Sequence, residues 1–434
     1  MKIRSVLLGS VAIAGLTTAG YAADLGVVTS LDVCDSLSIS GLTISSDDNC
    51  LQISGNISFE YDYGNYNNYN NDQAILYGPF VRTATDPKYA TTLLGGTSRQ
   101  DSKVDLDLWL QFVATADSDF GPATATLKLV ENNWGNDGSS AFGTSHIGIK
   151  EAWVGIGDTT KLMAGYKGSI FNKDDDTPLN YLGLFNSSQV STGVGFYDAV
   201  GTGGMSIQVT SDLGNGLTIK GGIEQLNTPS SSRPSMTVVG VLSYAGDGLT
   251  AHVSGDMDQH QDWNVHAGFT GTFDKVKVVG AIAADNDYNG SKSAIWWNAL
   301  GSASIDLDMF TLAGSVEATA ANEWGAGASL TATVSDGVKL NVGGRYFTNN
   351  TTGIYVAQVE AGISAAVTEA ITISGSIGAY QDNQPAGARV VNSDYYGIGS
   401  VAWNPGGGFA SSASLEYHSS GAYKAVFKAS KSIK

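Results

Sequence analysis

Three consecutive carboxylates form the most concentrated group of potentially reactive side chains in the sequence. Asp174, Asp175 and Asp176 follow Lys173 within the segment 172–178. Carboxylate oxygens at such a turn can ligate Ca²⁺, or they can simply form a solvated surface turn. The residue types alone leave both interpretations open, so the position of the segment in the fold must decide its role.

A second polar patch contains three histidines and three aspartates, and it does not indicate catalysis. Its members are His252, Asp256, Asp258, His260, Asp262 and His266. Alternation along strands and a short hairpin loop explain the patch, whereas hydrolytic catalysis needs a positioned nucleophile and base. The sequence also lacks a zinc signature, a phosphate-binding glycine loop and a dinucleotide fingerprint in a strand–turn–helix context. We therefore expect no enzymatic activity, no catalytic or metal-binding residues and no cofactor.

The elements that must position these residues are β-strands. From Leu51 to Tyr63, apolar residues and Gly55 occupy the odd positions, and polar residues occupy the even ones. Side chains alternate across a strand, so one face of this segment favours hydrocarbon and the other favours water. Repeated segments of this kind, separated by turn residues, are typical of a transmembrane β-barrel with a lipid-facing apolar band and a polar lumen.

The pattern continues to the end of the chain and predicts 20 strands in one domain. The predicted strands are 51–63, 102–117, 123–132, 145–157, 161–168, 203–212, 217–226, 236–246, 249–258, 263–273, 276–285, 295–306, 309–320, 324–334, 338–347, 354–368, 370–381, 395–404, 409–418 and 422–430. Tight turns at 214–216 and 246–248 alternate with longer connections, notably 64–101 and 169–202. The predicted fold class is all-β, a transmembrane antiparallel β-barrel with an even strand number.

The first residues predict export. Lys2 and Arg4 precede a short apolar stretch, and small residues before Ala23 offer a cleavage site, so 1–22 is a predicted signal peptide and 23–434 the barrel. No run of about 20 apolar residues follows, which excludes a helical membrane protein. Removing Lys2 and Arg4 from the 23 basic residues leaves 21 against 41 acidic ones, a net charge of −20. Nucleic acid is therefore not an expected partner.

Cys34 and Cys50 are the only cysteines in the chain. An oxidising compartment outside the cytoplasm favours a disulfide between them, and no neighbouring histidine suggests a metal site. Two unpaired, buried cysteines are the alternative.

Several segments resemble the alphaproteobacterial porin family, the major outer-membrane porins of rhizobia and their relatives. These segments are 33–35, 50–55, 151–157, 165–169 and 398–405. The resemblance implies a homotrimer of barrels with about 16 strands each, in contact with outer-membrane lipid and lipopolysaccharide. It also implies that the third outer loop, 169–202 here, folds inward and narrows a water-filled pore. Lys173, Asp174, Asp175 and Asp176 would then lie at the constriction.

On this interpretation, small hydrophilic solutes and ions diffuse passively through the pore, with weak selectivity for cations. Alternation places six charged residues on the lumen wall, namely Lys220, Glu224, Lys277, Lys339, Arg345 and Lys424. Acidic loop residues facing basic wall residues would create a transverse field in the pore. A surface or adhesion barrel whose loops bind partners is the main alternative, and a soluble secreted β-protein is a third possibility.

Overall fold

A closed antiparallel β-barrel accounts for nearly all of the described secondary structure. The computed structural model describes residues 32–64, 102–134, 147–184, 193–226, 236–286, 294–383, 393–419 and 423–433. The predicted signal peptide lies outside these residues and stays a prediction. Within them, no helix is long and apolar enough to cross a membrane.

The described elements are one short helix and 21 strands. They are α1 (Asp32–Ser36), β1 (Leu42–Ser45), β2 (Cys50–Gly64), β3 (Ser102–Ala116), β4 (Ala123–Trp134), β5 (Gly148–Gly157), β6 (Thr160–Lys167), β7 (Gly204–Gly214), β8 (Leu217–Glu224), β9 (Thr237–Gly246) and β10 (Leu249–Asp258). The remaining strands are β11 (Trp263–Phe273), β12 (Val276–Asp285), β13 (Trp296–Asp306), β14 (Phe310–Thr319), β15 (Glu323–Ser335), β16 (Val338–Asn349), β17 (Ile354–Ala366), β18 (Ile371–Asp382), β19 (Ser393–Gly406), β20 (Phe409–His418) and β21 (Tyr423–Ile433).

Each strand from β2 to β21 pairs with the next, and β21 pairs with β2, so these strands form a closed barrel. The predicted count of 20 strands is confirmed within the described residues, and the number of about 16 implied by the resemblance is wrong for this chain. Closure leaves no unpaired sheet edge, as a membrane-spanning sheet requires, because hydrocarbon offers no hydrogen-bond partners.

The predicted alternation corresponds to the two faces of the barrel wall. Ile57, Phe59, Phe269 and Leu415 are 36–53% exposed on the outer face, as are many other large apolar side chains. Their polar neighbours in sequence point into the lumen, where most of the buried polar side chains lie. This arrangement reverses the usual distribution of a soluble protein and suits a wall with lipid outside and water inside.

Short turns lie at one end of the barrel and longer loops at the other. Asn215 with Gly216 and Asp247 with Gly248 form two-residue turns in which every φ is positive. Such turns match the twist of paired strands, and asparagine, aspartate and glycine tolerate their left-handed backbone best. In outer-membrane barrels the short-turn end is the periplasmic end, which makes the β6–β7 connection the third outer loop.

Sequence patterning missed the elements ahead of the barrel and the full length of its last strand. β1 pairs with the first residues of β2, next to the point where β21 begins its own pairing with β2 at Gly55. Cys34 and Cys50 form a disulfide that attaches α1 to β2, which confirms the predicted bond. β21 continues to Ile433 rather than ending at residue 430, because its polar tail also pairs with β2 and β20.

Candidate pore constriction

The β6–β7 loop, residues 168–203, is held inside the barrel at both of its ends by Glu224. This carboxylate on β8 is fully buried. It accepts hydrogen bonds from the Ile170 N–H at 3.0 Å and from the Gly203 N–H at 2.5 Å. The Gln208 side-chain amide donates to the same carboxylate at 2.9 Å. Because Glu224 points into the lumen, these bonds bring the start and the end of the loop onto the inner wall.

The acidic segment of the loop lies against two histidines of the wall. Asp175 Oδ2 is 3.3 Å from His252 Nδ1, and Asp175 Oδ1 accepts a hydrogen bond from the Thr250 hydroxyl at 2.5 Å. The rings of His252 and His266 are stacked with a 5° interplanar angle, and His252 Nε2 is 2.9 Å from His266 Nδ1. Asp176 Oδ2 is 4.0 Å from His266 Nε2. The two polar clusters noted in the sequence therefore meet in the folded protein.

The contacts of Asp175 and Asp176 affect their ionisation in opposite ways. Burial by itself raises the pKa of Asp175, but hydrogen bonds from Thr250, Thr270 and His252 outweigh burial and lower it. Burial dominates at Asp176 and raises its pKa, although the Val194 N–H donates to its carboxylate. Asp175 is thus the residue of the pair whose charge the fold stabilises.

Of the four predicted constriction residues, Lys173 and Asp174 are exposed. Lys173 Nζ lies 5.0 Å from the centre of the Phe196 ring, within the distance of a cation–π contact. The Asp174 N–H donates to the Asn172 side chain at 2.9 Å. The four predicted constriction residues therefore divide into an exposed pair and a pair packed on the wall.

Wall residues far along the sequence hold the middle of the loop. The Leu179 N–H donates to Ser302 Oγ and the Tyr181 N–H to Ser329 Oγ, each at 2.9 Å. The Tyr181 hydroxyl donates to Glu360 at 2.7 Å. That hydrogen bond and burial together raise the pKa of Tyr181, so the phenol stays neutral at physiological pH.

Arg345 also binds the loop. It lies on β16, between the strands that carry Ser329 and Glu360. Its guanidinium donates to the Leu182 carbonyl and, through Nε, to the Gln358 side chain at 2.8 Å. Gln358 donates in turn to the Tyr396 hydroxyl, which donates to Glu360 at 2.6 Å. The loop is therefore joined to a continuous polar network on β16, β17 and β19.

The returning part of the loop is held by apolar packing. Leu184, Val194 and Phe196 are at most 7% exposed and pack against lumen-facing residues of β12 and β13, namely Ala281, Ala283 and Leu300. The Trp296 indole N–H donates to the Gly195 carbonyl at 3.2 Å. Small side chains on these strands leave room for the loop residues to contact the wall closely.

The six predicted lumen residues have different surroundings in the structure. Glu224 and Arg345 are covered by the loop and hold it in place. Lys424 forms an ion pair with Asp62 at 2.7 Å. Lys277 is exposed, and Lys220 and Lys339 are partly exposed. Alternation describes only the face of a side chain, so it could not predict which of the six the loop covers.

Sequence patterning also missed the wall serines that hold the loop, because a lumen-facing serine is unremarkable in any barrel strand. The described residues include one group of three potential metal ligands, Asp258, His260 and Asp262, in the β10–β11 hairpin. Asp258 accepts hydrogen bonds from the His260 and Asp262 N–H groups at 2.7 and 3.0 Å. These hydrogen bonds within the hairpin turn explain why the three side chains lie close together.

Comparison with known proteins identifies the family. The family model described as "Porin subfamily" matches residues 27–433. The chain therefore belongs to this family, which together with the lipid-facing barrel establishes an outer-membrane channel. No curated protein matches the sequence.

Solved porin structures match the chain at low similarity. The outer-membrane channel DcaP of Acinetobacter baumannii is 11% identical with a TM-score of 0.37, and it covers 91% of this chain and 100% of its own. A mutant porin of Rh. blastica is 12% identical with a TM-score of 0.39, over 88% of this chain and 99% of its own. An anion-selective porin from Comamonas acidovorans is 11% identical with a TM-score of 0.37, over 88% and 99%.

Proposed function

We propose that the protein lets small hydrophilic solutes and ions diffuse passively across the outer membrane, through a water-filled lumen that the β6–β7 loop narrows. The supporting observation is the attachment of this loop to lumen-facing side chains, from Glu224 at its ends to Ser329 and Glu360 at its middle. A loop fixed in this way reduces the cross-section without closing the barrel.

We also propose weak selectivity for cations. The chain carries 41 acidic residues, and Asp174 is the exposed aspartate of the acidic segment 174–176. A carboxylate beside a narrow passage raises the local concentration of cations, and salt screens this effect within about 8–10 Å. Lys173, Lys220, Lys277 and Lys339 on the lumen side act in the opposite direction, so the net preference is small.

Single-channel conductance and reversal potential in a KCl gradient test both proposals. We expect conductance from the wild type, and we expect a shift of the reversal potential toward anions in Asp174→Asn that decreases at high salt. Asp308→Asn is the matched control, because Asp308 is an exposed carboxylate in a turn at the opposite end of the barrel. Conductance without any shift would place the selectivity elsewhere in the pore, and absence of conductance would contradict the channel.

The proposed assembly is a homotrimer in contact with outer-membrane lipid and lipopolysaccharide. The support is the family membership and the apolar outer face, which must contact either lipid or a neighbouring barrel. The mass of the purified protein in detergent, before and after heating, distinguishes a trimer from a monomer.

A further inference from the structure

The β6–β7 loop covers only part of the lumen wall. Its described contacts fall on strands β7 to β17, from Gln208 on β7 to Glu360 on β17. Since the barrel is closed, the strands β18 to β21 and β2 to β6 form the wall that faces the loop across the lumen. Among the described residues, this opposite wall is the surface that a solute passing the loop would contact on its other side.

Aromatic and basic side chains form a continuous strip across strands β3 to β6 of this wall. The strip consists of Trp109, Lys128, Glu151, Trp153 and Lys167. Lys128 Nζ lies 4.5 Å from the centre of the Trp109 ring, and Lys167 Nζ lies 3.8 Å from the centre of the Trp153 ring. Glu151 pairs with Lys128 across the strands and accepts a hydrogen bond from the Trp153 indole at 3.0 Å.

All five side chains of the strip point into the lumen. Their sequence neighbours Leu127, Val154 and Tyr166 are 38–60% exposed on the lipid-facing side, and alternate residues of a strand point to opposite faces. Each member of the strip is itself partly exposed. The strip is therefore accessible from the aqueous side of the wall.

Two glycines shape the wall around Trp153. A Cβ atom on Gly155 would lie 3.2 Å from Trp153 Cζ3, so the ring extends along its own strand over this glycine. Gly165, the cross-strand partner of Trp153, has a φ of +138°, and a Cβ there would lie 2.6 Å from Trp153 Cα. The absence of side chains at these two glycines lets Trp153 pack closely against the backbone, so the indole stays near the wall.

A wall that only borders water does not need indole rings, since exposed apolar surface costs free energy. Each lysine ammonium lies over one face of its indole, so a solute that displaces it would stack a sugar or aromatic ring on the indole while its carboxylate pairs with the ammonium. We propose that this strip is a transient binding site for small solutes that combine a six-membered ring with a carboxylate. The proposal rests on the proposed function, and it specifies a solute class for the same pore.

The test measures block of single-channel current in planar bilayers. Galacturonate and benzoate each carry a ring and a carboxylate, galactose carries only the ring, and acetate carries only the charge. We expect both ring carboxylates to block the wild-type current at lower concentration than galactose or acetate. The double variant Lys128→Gln, Lys167→Gln should raise their half-blocking concentration about tenfold, because each ammonium supplies a charge-assisted contact.

Lys161→Gln is the matched control, since Lys161 lies on the same strand and face as Lys167 but nearer the short turns. It should leave the block unchanged. Trp153→Phe should retain most of the block and Trp153→Leu should lose it, so the pair distinguishes stacking from a folding defect. Block by benzoate alone or galacturonate alone supports the proposal and identifies the ring.

Normal KCl conductance with no block, or block unaffected by the lysine double variant, would overturn the strip as a binding site while the channel stands. Lack of conductance in KCl would instead contradict the proposed function itself.

Discussion

The loop-covered wall, β7 to β17, and the opposite wall, β18 to β21 with β2 to β6, have the same outer surface but different inner surfaces. On the covered wall, several lumen-facing side chains hydrogen-bond with the loop, as Ser302 and Ser329 do with its backbone. On the opposite wall, they form ion pairs and cation–π pairs with one another, as Lys424 does with Asp62 and Lys167 with Trp153.

This difference shows how one repeating strand pattern can serve two purposes. Polar positions on a strand satisfy the requirement for a wet lumen whether they contact water or a loop. Where a loop covers them, small hydroxyl side chains supply hydrogen bonds to its backbone and permit close contact. Where water covers them, long charged side chains extend toward the lumen and pair with neighbours.

The largest effect expected from a single substitution tests whether the two walls share the same outer face. Phe269→Arg on the covered wall and Leu415→Arg on the opposite wall should each destabilise the barrel by about 2–4 kcal/mol, because both side chains face lipid. Asn56→Arg and Ser414→Arg point into the lumen and are the matched controls, for which we expect a much smaller cost. Urea unfolding in lipid vesicles measures the difference, and equal costs on both faces would contradict the alternation.

A smaller effect, restricted to the covered wall, is expected for Glu224→Ala. The substitution leaves the Ile170 and Gly203 N–H groups without their carboxylate acceptor and should weaken attachment of the loop by about 2–3 kcal/mol. We expect larger single-channel conductance and faster proteolysis within the β6–β7 loop. Lys220→Ala, on the same strand and face, is the control. Unchanged conductance and proteolysis in Glu224→Ala would show that the loop stays in place without the hydrogen bonds of Glu224 to its two ends.

The smallest expected effect distinguishes Asp175 from Asp176. Asp175→Asn should weaken attachment of the loop by about 1–2 kcal/mol. Asp176→Asn should cost less, because burial already disfavours the charged form of Asp176. The lowered pKa of Asp175 contributes stability that is fully present above the ordinary aspartate pKa of 3.8 and is lost as the pH falls through the lowered value.

Asp176 behaves in the opposite sense, since its raised pKa favours the folded state as the pH falls. Proteolysis of the loop should therefore stay slow on acidification to pH 4, and it should accelerate below that pH in the wild type. In Asp175→Asn it should be faster even at pH 7. Equal rates for the wild type and Asp175→Asn at pH 7 would assign no anchoring role to Asp175.

The local sequence pattern determined the strands. Each side chain of a strand faces either lipid or the lumen, so the pattern repeats every two residues. Period-two alternation and two-residue turns gave 20 strands, most of them within a few residues of the observed bounds. The Cys34–Cys50 disulfide was also predictable, since the predicted export makes the compartment oxidising and the chain has no other cysteine. β1 escaped prediction because four residues are too few to show a period.

The contacts of the β6–β7 loop with the barrel wall were decided only by the tertiary structure. Tyr181 and Glu360 are 179 positions apart in the sequence, and Asp175 and His252 are 77 apart. Alternation describes the face of a side chain but carries no information about a partner that far away. Glu224 was therefore predicted as a wall residue in the lumen, and the structure makes it the anchor of the loop. Closing the barrel brings distant strands around one lumen, and that closure decides which wall residues the loop contacts.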